Sequence, residues 1–214
     1  GDDAGVGTDA GTLGSFDFST ISSEGDAGTG VIGQYAVYDS IGTTSDGTVV
    51  QARMTILDAD DPDIDVEFGT NSIYLNEDAS SPAGSGVTLG FEFFDQATGE
   101  PVQISGGFTF HDVDTTSESV TALSADVTSL TLSASPATNL TGSDSGEQLA
   151  AASDSTSSGN ADENHWAQFS YTDQQQLVFE VTARGNGTNY AFSTDGFSSP
   201  GTTIHATPET QEDS

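Results

Sequence analysis

Asp112, Asp114 and Glu118 form the tightest group of chemically capable side chains in this sequence. Carboxylates gathered at one strand end repel one another unless a cation, protons or water separates them. Ca²⁺ accepts such oxygen ligands in flexible geometry. A calcium site on these three is one reading, and a solvated acidic loop is the other. A second acidic run, DADDPDIDVE at residues 58–67, offers Asp58, Asp60 and Asp61 as another candidate cation loop. Its alternative is a solvated loop leading into a strand at residues 64–68. His111, His165 and His205 are scattered, and neither a G-x-S-x-G elbow nor an H-E-x-x-H helix occurs. Paired carboxylates for glycoside hydrolysis are uninformative where Asp and Glu are everywhere. The chain therefore reads as a non-enzyme.

Other residues point to contact rather than catalysis. Trp166 either caps the core or presents a flat face for sugar stacking, with Tyr171 beside it. Leu13, Phe16 and Phe18 stand in a Gly, Asp, Ala and Thr background near the N-terminus, where they are the natural plug residues of an inserted strand. That segment pairs either within its own domain or with a neighbouring subunit. Asn139 and Asn186 open N-x-T acceptor triplets, which makes them candidate glycosylation sites.

The elements that must position these groups are strands. Val87, Leu89, Phe91 and Phe93 alternate with polar residues or glycine, the period of a half-buried strand. The Asp, Gly and Pro of residues 95–101 predict a turn, and Val102, Ile104, Phe108 and Phe110 a returning strand, so a hairpin is expected. Parity puts Phe108, Phe110, Asp112 and Asp114 on one face. Further strands are expected at residues 34–41, 48–57, 64–68, 71–75 and 120–132. A second hairpin spans residues 165–183, and a last strand lies at 190–193. Arg53, inside the second of these, is expected to pair with a cross-strand carboxylate. Residues 133–163 are a Ser, Ala, Thr, Asp and Gly stretch expected to form a long surface loop, with a short helix at 147–152.

This pattern gives an all-β chain, an antiparallel β-sandwich of jelly-roll or immunoglobulin-like type with about nine or ten strands and long loops. Residues 1–14 read as a flexible N-terminal arm and possible donor strand, 15–205 as one sandwich domain, and 206–214 as an acidic tail. The 214 residues carry 34 acidic and 2 basic side chains, a formal net charge of −32, with no lysine. Such self-repulsion is relieved by salt or divalent ions, so a halophilic, marine or calcium-rich setting is expected. Nucleic acid and anionic membrane surfaces are poor partners, because binding either needs clustered Lys and Arg. The absence of Cys removes disulfides, thiolate metal sites and cysteine catalysis together. No apolar run is long enough to span a membrane as a helix. A start at Gly1 suits a mature secreted chain.

The pieces GFEFFD at 90–95, ATGEPV at 97–102 and FTFHDVD at 108–114 are similar to a pattern of secreted surface proteins of marine microbes. There an aromatic strand, a TGEPV-type turn and an aspartate-flanked strand end follow one another. A Gly-first, cysteine-free all-β chain also resembles filament subunits of the TasA and camelysin kind, which polymerise through an inserted N-terminal strand. The resemblance implies a mode of assembly and carries over no binding residues. Two functions follow as expectations. One is an extracellular filament or surface-layer subunit that joins copies of itself by strand addition, with salt or Ca²⁺ offsetting repulsion. The other is a monomeric, calcium-dependent adhesin module that binds glycans or surfaces through Trp166, Tyr171 and an acidic loop.

Overall fold

Alternating apolar side chains carry most of the chain into strands, and a computed structural model describes residues 7–25, 31–134, 138–153 and 162–207. Sixteen strands occur among these residues. The first eight are β1 (Thr8–Thr12), β2 (Ile21–Gly25), β3 (Tyr35–Thr43), β4 (Val49–Ala59), β5 (Val66–Gly69), β6 (Ser72–Ser80), β7 (Gly86–Asp95) and β8 (Val102–Phe110). There follow β9 (Ser119–Leu123), β10 (Ser129–Ser133), β11 (Leu140–Asp144), β12 (Gln148–Ser153), β13 (Ala167–Gln174), β14 (Gln176–Thr182), β15 (Asn186–Ser193) and β16 (Pro200–His205).

They build two eight-stranded sheets packed as a sandwich, the all-β architecture that the alternation predicts. One runs β16-β10-β13-β8-β15-β6-β5, with β1 added parallel to β8; the other runs β11-β12-β9-β14-β7-β4-β3-β2. The strand number exceeds the expected nine or ten because short Ser, Thr, Gly and Ala segments also pair. β11 and β12 form a hairpin inside the expected long loop, and no helix stands at 147–152. Their side chains are small, yet Leu149 and Ala151 are fully buried.

Both predicted hairpins are corrected. β7 pairs with β4 and β14, whereas β8 pairs with β13, β15 and β1, so the two consecutive strands belong to opposite sheets. A single bridge, Phe94 to Pro101, is their ladder contact. β13 and β14 likewise cross between sheets. Alternation specifies which face is apolar but not whether that face looks sideways at a neighbour or across at the other sheet. Here eight phenylalanine rings are better buried across the interface. Phe91 of one sheet lies 5.0 Å from Phe108 of the other, and Phe179 lies 5.1 Å from Phe108 and 5.0 Å from Phe110.

The arm expected over 1–14 is a strand in part. β1 pairs with β8, Leu13 N–H donates to the Ser105 carbonyl at 2.8 Å, and Ser45 N–H donates to the Thr12 carbonyl at 2.9 Å. Residues 8–17 thus lie in the seam and bond to both sheets. Residues 1–6 lie outside the described residues, as do 208–214 of the expected acidic tail.

Candidate binding cleft

Four segments end level at one edge of the β8 sheet because its registers align them. Phe110 faces Ala167 on one side and Phe192 on the other, and Ser72 faces Ala191. The β5–β6 turn, the residue after β8, the residue before β13 and the end of β15 therefore surround a cleft of about 510 Å³. That volume suits a small ligand or one side chain of a larger partner. Asn71, His111, Trp166, Ala191 and Phe192 line it, with the exposed Thr70 and Asp195.

The walls are held by internal bonds. Asn71 adopts a φ of 48°, in the left-handed region that asparagine tolerates. Its Oδ1 accepts from Phe18 N–H at 2.7 Å and its Nδ2 donates to Asp17 Oδ1 at 2.8 Å. His111 Nε2 lies 2.6 Å from Ser193 Oγ, which also accepts from Asp195 N–H at 3.0 Å. The Asp195 carbonyl accepts from Thr109 Oγ1 at 2.6 Å and from Gln168 Nε2 at 3.2 Å. The Trp166 ring stands edge-on to His111 with centroids 4.2 Å apart, and Phe197 lies 6.1 Å away. Trp166 is 92% buried and also lines the cleft. Tyr171 does not join it. Its side chain is in the core, stacked on Phe93, and burial pushes its hydroxyl well above the usual range.

In the structure Asp114 stands beside both Asp112 and Glu118. Asp114 and Glu118 are buried. Glu118 Oε2 accepts from Asp114 N–H at 3.0 Å and Thr115 N–H at 3.2 Å, and Asp114 Oδ1 accepts from Thr115 Oγ1 at 2.9 Å. Asp112 takes a φ of 62°, so strand parity fails at the residue where it was extended from Phe110. One of its oxygens, Oδ1, is buried without a hydrogen-bond partner. Burial, and then the Asp114 charge, push the Asp112 carboxyl up to about 7, against the pull of Arg184. Burial also pushes Glu118 up to about 7, against the amide bonds it accepts. Among the described residues no group of three or more His, Asp or Glu side chains stands so as to hold a metal ion.

The second acidic run accepts backbone N–H groups of its own turn and of the start of β7. Asp60 Oδ2 accepts from Gly86 N–H at 2.8 Å, Asp61 Oδ1 from Asp63 N–H at 2.9 Å and Asp58 Oδ1 from Ala59 N–H at 2.9 Å. Asp60 and Asp58 together help to raise the Glu180 carboxyl, after burial. Arg53 makes no ion pair among the described residues and lies 4.1 Å over the Tyr35 ring, although Glu92 faces it across the ladder. Asn186 is exposed at the start of β15. Asn139 is also exposed, with Nδ2 3.2 Å from His165 Nε2. Leu13 and Phe18 are fully buried, and Phe16 packs beside them against Phe108 at 5.1 Å.

The cleft itself was illegible from spacing. Thr70, His111, Trp166 and Asp195 come from four separate turns, and only sheet order brings them together.

No family model and no curated protein matches the chain. Among solved structures, the crystal structure of the N-terminal domain of the Streptococcus gordonii adhesin Sgo0707 is similar, with a TM-score of 0.56 and 11% sequence identity. The match covers 89% of this chain and 62% of that chain, so this chain spans less than two thirds of it. At that identity the likeness is one of fold: an all-β sandwich also used by a bacterial surface protein, without a pointer to the TasA and camelysin kind. No helix among the described residues is long and apolar enough to cross a membrane.

Proposed function

We propose that the chain is a cell-surface binding module of the adhesin type, without enzymatic activity, that takes its ligand in the cleft walled by His111 and Trp166. The cleft carries this reading: it is the place where an aromatic wall, an open rim and a carboxylate converge on a rigid sheet end. The fold shared with an adhesin domain supports it. The test is binding of the purified chain to immobilised glycan and protein arrays, with Ala191→Phe filling the cleft. Loss of binding in the filled variant is expected. Undiminished binding would remove the cleft as the contact.

A second reading, a self-assembling filament or surface-layer subunit, is favoured by the seam strand. Residues 8–18 bond to both sheets and place Leu13, Phe16 and Phe18 in the aromatic core, where the same segment of a neighbouring copy would fit. Negative-stain images at high and low salt, with and without chelator, test it. Fibres that disappear on deletion of residues 1–14 support strand exchange; single particles throughout count against it. Calcium enters as the counter-ion of Asp112, Asp114 and Glu118. The unpartnered Asp112 oxygen supports it, and the hydrogen-bonded closure of the other two favours protons instead. A melting temperature unmoved by millimolar Ca²⁺ would assign the cluster to protons.

A further inference from the structure

We infer that the cleft receives a cationic side chain, an arginine or lysine presented by a partner protein. This rests on the reading of the cleft as the ligand site and names the chemistry that site selects.

The selection follows from which groups in the cleft are already engaged. Both ends of the Asn71 amide are committed to Asp17 and Phe18, His111 Nε2 to Ser193, and the Asp195 carbonyl to Thr109 and Gln168. His111 and Trp166 have additional partners within the chain. What faces solvent is the Asp195 carboxylate and the Thr70 hydroxyl, neither of which bonds to a described residue, beside the aromatic wall of Trp166. A saccharide needs several donors and acceptors at once and finds few here. A guanidinium or ammonium needs an acceptor beside an aromatic ring, and the lining offers Asp195 and Trp166. The field of a chain with net charge −32 attracts cations and repels acidic sugars and phosphorylated groups.

The same inventory says that the cation comes from another protein. The chain has no lysine and only two arginines. Arg53 is stacked over Tyr35 at 4.1 Å, and Arg184 Nε donates to the Asn186 carbonyl at 3.1 Å. A second copy could offer only the exposed Arg184, already bonded through Nε, so a partner richer in Lys and Arg is the better source of the cation.

Trp166, the single tryptophan, reports on the site. Its emission is followed while blocked Gly-Arg-Gly and Gly-Lys-Gly peptides, and the citrulline counterpart, are added at fixed ionic strength. Saturable change with the two cationic peptides is expected, with half-saturation on the order of millimolar for a single side chain. Citrulline should give none. Asp195→Asn should weaken the response by about fivefold or more. Glu100→Gln, at the opposite end of β8, should leave it within about twofold. Equal responses to arginine and citrulline, or equal loss in the Asp195 and Glu100 variants, would overturn the inference, the latter by revealing diffuse attraction. A neutral methyl glycoside that saturates the signal where arginine does not would also overturn it while leaving the cleft reading intact. Array binding that survives Ala191→Phe would instead remove the cleft reading itself.

Discussion

Asp112 shows how one residue can defeat a pattern and still end where the pattern was aimed. Alternation from Phe108 and Phe110 placed it in the buried face. Its left-handed backbone ends the strand, yet Asp114 stands beside it and Glu118 beside Asp114, both of them buried. The cluster was legible because acidic residues close in sequence stay close in space; its burial was not, since His165 and Tyr190 reach it from segments far along the chain. The linkage has a definite sign. Asp112 and Glu118 titrate near about 4 when unfolded and are pushed up to about 7 when folded. Between those values the folded state holds more protons, so stability falls as pH rises from about 4 to about 7 and levels off above. A calorimetric melting series from pH 4.5 to 8 should show that fall. Asp112→Asn should flatten it and stabilise the protein at pH 8 by about 1 kcal/mol, a value discounted because the group is partly open to solvent. Asn71→Ala should cost about 1–3 kcal/mol, because it orphans Phe18 N–H and puts alanine at a left-handed φ.

At the scale of elements, the strands were largely visible and their partners were not. Phe91, Phe93, Phe108 and Phe110 announce two strands by period, but the turn between them serves a crossing between sheets as readily as a hairpin. The choice was made by where the rings pack. β11 and β12 were missed because Ser, Gly and Ala give little contrast, although Leu140 and Leu149 anchor them. Leu13 and Phe18, expected as plug residues of an inserted strand, are buried in the core of their own chain. Phe18 touches Tyr38, Phe91 and Phe192 with ring centroids 5.1, 6.0 and 5.2 Å apart. Phe18→Ala should therefore cost about 3–5 kcal/mol in urea unfolding, and Leu13→Ala about 2–5 kcal/mol. A loss below 1 kcal/mol for both would mean that the segment does not occupy the seam in solution.

For the molecule as a whole, charge and topology pull in different directions. A net charge of −32 on 214 residues is self-repelling at any arrangement of strands, and salt screens it. The melting temperature should climb between 10 mM and 1 M NaCl, and a flat profile would show that the repulsion is already relieved locally. The crossing of β7 to β8 has a further result, in time rather than energy. β7 can pair early with β4, but β14 and, for β8, β13 lie more than fifty residues further along the chain, so the aromatic interface between the sheets closes late. Refolding from denaturant should accordingly be slow, on the scale of milliseconds to seconds or longer for so non-local an arrangement. During that interval unpaired aromatic strands stand exposed. The same acidity that weakens the finished fold then keeps unfinished chains apart, so the charge acts as a safeguard against aggregation on the way to the native state.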